Sequence, residues 1–421
     1  MIRFFYSLLV YFILPFTVIK LLYRSFKQPD YLKYWSERYG FYAASTRKIW
    51  GKRKTIWIHA VSVGETKAAI PFIKLFLKKY RYHHLLISHG TPTGRATSID
   101  IKNTRITRIY LPFDTVDATQ RFLDTFKPKL GFLVETELWF NLIHQAHKKS
   151  MPLYLVNARL SEKSFQLYKK IFLLIKPSLQ ELKGVLAQTK LDAERFVSLG
   201  ASGVEVMGNL KFDVEPPHDT NKQSVTLKKH LRLKNQSILL IASSRQDEEE
   251  LILQTLLKLQ IKNLITIFVP RHPQRFNEVE AILKKYHVSF IKRSDAKITA
   301  KTYQFILGDS MGEMYSYYSL ANIALMGGTV LPYGGQNLIE SMVMKVPVIL
   351  GPHTYNFHNV SNEAIHLGAG IRIQTLDQIK KVLPEMLKSS SQLKMKKACH
   401  KMICKHQGAT LKILNIVKST I

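Results

Sequence analysis

The chain opens on one long apolar run and then settles into short apolar runs that alternate with amphipathic stretches. From Phe4 to Ile19 no side chain is charged; Lys20 interrupts, and Leu21, Leu22 and Tyr23 carry the run to Arg24. About 20 helical residues span roughly 30 Å, the depth of a bilayer core. Pro15 within the run is tolerated in a membrane helix. Lys20, Arg24, Lys27, Lys33 and Arg38 follow the run, against Arg3 and the amino terminus before it. That asymmetry predicts a single N-terminal anchor, spanning the bilayer or lying in its interface, with the body on the cytoplasmic side. A cleaved signal peptide and a buried core helix are the alternatives; no small-residue cleavage site directly follows the run.

Strands are expected at Ile56–Ala60, Leu85–Ser88, Ile106–Leu111, Leu130–Val134, Leu153–Val156 and Val185–Ala187. Amphipathic stretches such as Ala68–Lys79 and Leu138–Lys148 lie between them. This is the βαβ rhythm of a parallel sheet covered by helices. Asn209 to Gln236, with Pro216, Pro217 and many polar residues, breaks the rhythm and reads as a linker. The rhythm resumes at Ile238–Ala242, Ile265–Val269, Phe305–Leu307, Ile323–Met326 and Val346–Leu350. Lys-rich helices are expected from Leu376 to the end. The fold class is therefore α/β, with two halves facing a cleft where a ligand would bind. The expected divisions are an anchor with its basic flank (1–30), a first Rossmann-like domain (31–212), a linker (213–236), a second such domain (237–390) and C-terminal helices (391–421).

Charge narrows the partners. Lys plus Arg number 62 against 30 Asp plus Glu, a net charge of +32, which attracts anionic lipid or phosphorylated substrates. The basic residues are spread along the chain without a nucleic-acid-binding motif, so no nucleic acid is expected as a partner. Cys399 and Cys404 match no usual zinc spacing and read as reduced thiols.

The candidate chemistry sits at strand-to-helix turns. Trp57-Ile-His-Ala-Val-Ser-Val-Gly-Glu65 is an apolar strand that breaks into a helix start carrying a carboxylate. Such turns lie at the edge of α/β sheets where ligands bind. Ser62-Val-Gly-Glu65, Ser310-Met-Gly-Glu313 and Asn337-Leu-Ile-Glu340 each place a capping residue three before a Glu, and a capping box alone could account for all three glutamates. Gly327-Gly328-Thr329 and Gly334-Gly335-Gln336-Asn337 are neither a Walker A loop nor a dinucleotide fingerprint, yet their glycines allow close backbone approach to an anion. Pro270-Arg271-His272-Pro273 projects two cationic or donor side chains from a strand end. Glu135 and Glu137 close another strand, and Lys211 lies in Gly208-Asn-Leu-Lys-Phe-Asp213 near the junction of the halves. No metal is called for: HExxH, DxD and carboxylate–His clusters are lacking.

With these residues in view, the chain resembles the 3-deoxy-D-manno-octulosonic acid (Kdo) transferases of lipopolysaccharide assembly. The matching motifs run in order from Trp35-Ser-Glu-Arg-Tyr-Gly40 through HAVSVGE, VETELW, Val156-Asn-Ala-Arg-Leu-Ser161, GNLKFD, PRHP and MGEMY to GGQN and Gly351-Pro-His-Thr-Tyr-Asn-Phe357. The resemblance implies a GT-B fold, no metal or other cofactor, CMP-Kdo as donor and the lipid A precursor lipid IVA as acceptor at the bacterial inner membrane. It implies Glu65 as general base, and Glu135 and Lys211 as transition-state stabilisers. It assigns Arg271, His272, Met311, Gly312, Glu313, Asn337, Leu338, Ile339 and Glu340 to the CMP moiety. Gln336, Phe140 and Ser244-Arg-Gln-Asp247 depart from the family's usual residues. A UDP-sugar transferase of the same architecture and a membrane-tethered basic binding protein are the competing readings.

Overall fold

The computed structural model describes residues 2–43, 54–99, 101–259, 261–295 and 302–420. The chain forms two compact units, residues 1–213 with 406–421, and residues 214–405.

The first unit carries seven parallel strands: β1 (Thr55–His59), β2 (His84–His89), β3 (Ile106–Tyr110), β4 (Leu130–Val134), β5 (Leu153–Ala158), β6 (Gly184–Ala187) and β7 (Val204–Val206). Their order is β3-β2-β1-β4-β5-β6-β7. Helices cover both faces, so the central strands are buried on either side and read as unbroken apolar runs. Alternation along β1 shows the two faces. Trp57 packs with Phe122, Leu133 and Leu155 on one side. Ile56 and Ile58 pack with Phe72, Phe76 and Phe132 on the other. The C-terminal helix Ala409–Thr420 returns to that second face through Ala409, Ile413 and Val417.

The second unit repeats the plan with β8 (Ser237–Ser244), β9 (Leu264–Pro270), β10 (Phe290–Lys292), β11 (Phe305–Leu307), β12 (Ile323–Met326), β13 (Val348–Leu350) and β14 (Gly370–Arg372). Their order is β10-β11-β9-β8-β12-β13-β14, again all parallel. Within the stretch read as a linker, Leu210–Asp213 forms a 3-10 turn of the first unit and Thr220–His230 a helix of the second.

Every expected strand is present. Among the described residues, three strands escape the sequence pattern: β7, β10 and β14, each three residues long and each at a sheet edge. An edge strand pairs on one side, so Glu205, Lys292 and Arg372 can sit in it without a buried charge.

The apolar N-terminal run is a single helix, Ile2–Lys27, and by length and composition it could cross a membrane. The motif Trp35–Gly40 that follows is a structural lock. The Glu37 carboxylate accepts from Arg95 Nη1 at 2.7 Å and from the Tyr110 N–H at 2.8 Å, which fastens this turn to the end of β3.

Candidate active site

In each sheet the strand order reverses direction beside one strand, and the loops at that switch point leave the carboxyl edge side by side. In the first unit the reversal lies between β1 and β4. The Glu65 loop follows β1, and Glu135 and Glu137 follow β4.

Ser62 is the N-cap of the helix Val63–Lys79, and its hydroxyl oxygen accepts from the Glu65 N–H at 3.3 Å. Glu65 turns back on the loop. Its Oε2 accepts from the Val61 N–H at 2.6 Å and its Oε1 from the Ser62 hydroxyl at 2.8 Å. The capping box therefore exists, and it fixes a carboxylate that is only 8% exposed. Gly94 lets the helix Pro92–Ile99 close on this turn, since a Cβ there would lie 2.7 Å from the Val61 carbonyl oxygen. Burial raises the Glu65 pKa above the ordinary carboxylate value, and the charge of Glu135 adds to the rise. The bonds from Ser62 and Val61 oppose it. A base with a raised pKa takes up a proton more readily.

Glu135 adopts a left-handed backbone (φ 65°), uncommon outside glycine. Its Oε1 accepts from Lys211 Nζ at 3.1 Å. Both side chains remain about one-third exposed, at 29% and 34%, so the pair can be reached by a substrate. Lys211 is placed from below. Asn157, fully buried and left-handed (φ 53°) at the irregularity of β5, accepts the Leu210 N–H on its Oδ1 at 3.0 Å. The Asn209 side chain accepts the Lys211 N–H, also at 3.0 Å.

Glu137 completes a cluster of three carboxylates. Burial, then the charges of Glu65 and Glu135, push its pKa up to about 7. Its Oε2 lies 4.0 Å from Nε2 of His59, a ring that is wholly buried. Burial holds His59 neutral, its pKa lowered to about 3. The His59 Nδ1 meets the Ser88 hydroxyl at 2.9 Å, and that hydroxyl also accepts from the Trp57 indole at 2.8 Å. A neutral histidine thus lies under the three carboxylates, and Glu137 is the one whose proton is held well above the ordinary carboxylate range.

In the second unit the reversal lies between β8 and β12. One buried side chain holds the two loops there. Glu248 accepts the N–H groups of Arg245 at 3.0 Å, Gly328 at 2.6 Å, Val330 at 3.0 Å and Leu331 at 3.2 Å. Gly327 is required by contact, because a Cβ there would stand 2.1 Å from the Ser243 carbonyl oxygen. Arg271 and His272 follow β9, the neighbour of β8. His272 Nε2 lies 3.0 Å from Arg245 Nη1, and the Arg245 guanidinium sits 4.8 Å over the Tyr333 ring. Burial and then the charges of Arg245, Arg271 and Arg275 lower the His272 pKa. The loops gather cations at one edge, a setting for phosphate.

Met311 to Glu313, Asn337 and Leu338 lie on turns that follow β11 and β12, Ile339 and Glu340 open the helix Ile339–Val343, and their side chains differ in availability. Met311 is exposed, while Leu338 and Ile339 are buried in the core and can offer only backbone. Glu313 is engaged by Arg293 through two bonds of 2.9 and 3.0 Å. Ser310 is not a helix cap: the helix begins at Met314 with Glu313 at the cap position, and the Ser310 hydroxyl lies 2.7 Å from the Tyr317 hydroxyl while also bonding the Glu313 carboxylate. Asn337 stands one residue before the cap position of the helix Ile339–Val343; its Oδ1 accepts the Ile339 N–H at 3.1 Å and its Nδ2 donates to Glu340 Oε1 at 3.4 Å. Sequence reasoning missed Asn157, His59 and Glu248, because each acts by reaching a segment distant in sequence. The run Glu248-Glu-Glu250 directly after Ser244-Arg-Gln-Asp247 carried the one local hint of Glu248.

Residues 33–214 match the family described as 3-deoxy-D-manno-octulosonic-acid transferase (kdotransferase). The chain is 33% identical to the 3-deoxy-D-manno-octulosonic acid transferase of Haemophilus influenzae, across 99% of this chain and 98% of that one. It is 34% identical to the enzyme of that name from Bordetella pertussis, across 86% of each. Among solved structures, a glycosyltransferase from Rickettsia africae superposes with a TM-score of 0.55 at 15% identity, covering 88% of this chain and 99% of that one. That likeness shows the fold, a GT-B type.

Proposed function

The chain belongs to the 3-deoxy-D-manno-octulosonic acid (Kdo) transferase family, and we propose that it moves Kdo from CMP-Kdo onto lipid IVA, the lipid A precursor. The observation that carries this reading is the buried Glu65 carboxylate, fixed by its cap beside the Glu135–Lys211 pair.

Glu65 accepts the proton of a sugar hydroxyl on the acceptor. The freed oxygen forms a bond to the anomeric carbon of Kdo as the bond from that carbon to the CMP phosphate oxygen breaks, so the centre inverts. CMP departs as an anion, which needs no carboxylic acid to protonate it. Arg271 and His272 hold the CMP phosphate, with the loops Met311–Glu313 and Asn337–Glu340 around the nucleotide. Lys211 stabilises the charge that develops, and Glu135 orients Lys211 and balances oxocarbenium-like charge on the sugar. The anchor helix and the excess of positive charge keep the enzyme at the cytoplasmic face of the inner membrane, where the acceptor is concentrated.

Incubation with lipid IVA and a panel of CMP-Kdo and UDP-sugars, read by product mass, tests the proposal. An increment of one or more Kdo units with CMP-Kdo alone is expected. Turnover with a UDP-sugar and none with CMP-Kdo would replace it.

A further inference from the structure

The helix Ile2–Lys27 has two faces along its whole length. Arg3, Tyr6, Val10, Leu14, Leu21 and Ser25, recurring at helical spacing, are at least partly shielded, Leu21 down to 7% exposed. The opposite stripe, including Phe4, Leu8, Phe12, Phe16, Ile19 and Tyr23, is apolar and open, with Phe4 68% and Phe12 71% exposed.

Polar bonds hold the shielded face to the first unit. Arg3 reaches Glu181 at 3.2 Å and His144 at 2.7 Å. The Tyr6 hydroxyl donates to the buried Asp114 at 2.8 Å, and the Ser7 hydroxyl to Asn141 at 2.9 Å. Further along, Thr17 and Tyr39 bring their hydroxyls to 3.5 Å. From Arg3 to Thr17 the helix advances roughly 21 Å. A helix crossing the bilayer would carry Arg3, Tyr6 and Ser7 to the side opposite the body. Glu181, Asp114 and Asn141 could follow them only by entering hydrocarbon, at a prohibitive desolvation cost.

We propose that this helix does not cross the membrane. It lies in the plane of one leaflet of an anionic bilayer, its open stripe in the acyl boundary and its polar stripe fastened to the first unit. The amino terminus is then on the same side as the body. Lys20 and Arg24, both exposed on this helix, reach the anionic headgroups. The inference rests on the membrane reading made above, and deepens it from an anchor of open geometry to a flat one.

The full-length chain, tagged ahead of Met1 and after Ile421, tests it in spheroplasts treated with external protease. Both tags should survive until lysis while the chain sediments with membranes. Cleavage of the N-terminal tag, alone or with the other, would overturn the proposal, as would a chain found only in the soluble fraction. In vitro, Phe12→Glu with Phe16→Glu should weaken binding to phosphatidylglycerol vesicles at least tenfold with unfolding temperature unchanged; unaltered binding would contradict the open stripe as the lipid contact. Transfer activity is read separately, so a failed topology test leaves the catalytic reading standing.

Discussion

Lys211 Nζ lies 3.1 Å from Oε1 of Glu135, joining the turn after β7 to the end of β4. The pair also bears on the base, because the Glu135 charge helps raise the Glu65 pKa. Lys211→Met should lower kcat on the order of 10² by removing a fixed cation from the developing charge. It should also move the acid limb of the kcat/KM profile to higher pH, since an uncompensated Glu135 holds the Glu65 proton more tightly. Glu135→Gln should move that limb to lower pH. The double variant should lose less than the product of the two single losses, as contacting residues do. A pH–rate series on the three variants checks all of this; unmoved limbs would separate the pair from the base.

Glu137 gives a prediction about stability. Its folded pKa of about 7 stands above the ordinary 4.5, so between those values the folded chain binds more protons than the unfolded one. Stability therefore falls as pH rises through that window. Glu137→Gln removes the loss. It should raise stability by on the order of 2–3 kcal/mol at pH 8 and change it little at pH 4. Denaturant titrations of both chains at the two pH values measure the difference.

Glu248 is wholly buried, and its carboxylate takes four backbone N–H groups from two loops. Glu248→Ala strands those donors, at a cost of about 3 kcal/mol or more. Because the loops rather than the base are released, KM for the donor should rise more than kcat falls. Steady-state kinetics at saturating acceptor distinguish the two.

Asn157 is a quieter support. Asn157→Ala frees the Leu210 N–H in a buried setting and should cost about 1–3 kcal/mol. Loosening Lys211 should lower kcat with donor KM little changed, again readable in steady-state kinetics.

The central strands were legible because burial on both faces leaves an unbroken apolar run, as in Leu130–Val134. The edge strands were not, because Val204-Glu-Val206 and Gly370-Ile-Arg372 mix polarity over three residues. Glu65 could be found from its local grammar, since Ser62 three residues earlier fixes its place. The same grammar at Ser310 gave no cap, because there the helix starts one residue after Glu313 and not after Ser310. Glu137 is visible beside Glu135 after an apolar strand, but its shifted titration comes from burial and then from Glu65, about seventy residues away in the chain. The sequence left open whether the first helix spans or lies flat, because hydropathy reports the open stripe and says nothing of the partners of Arg3 and Tyr6.

The most direct test of the account is the rate at which Glu65→Gln transfers Kdo from CMP-Kdo to lipid IVA, measured beside the parent chain at equal donor occupancy. The account predicts a fall on the order of 10² or more with donor affinity and unfolding temperature retained. A rate near that of the parent would remove Glu65 as the base and, with it, the mechanism.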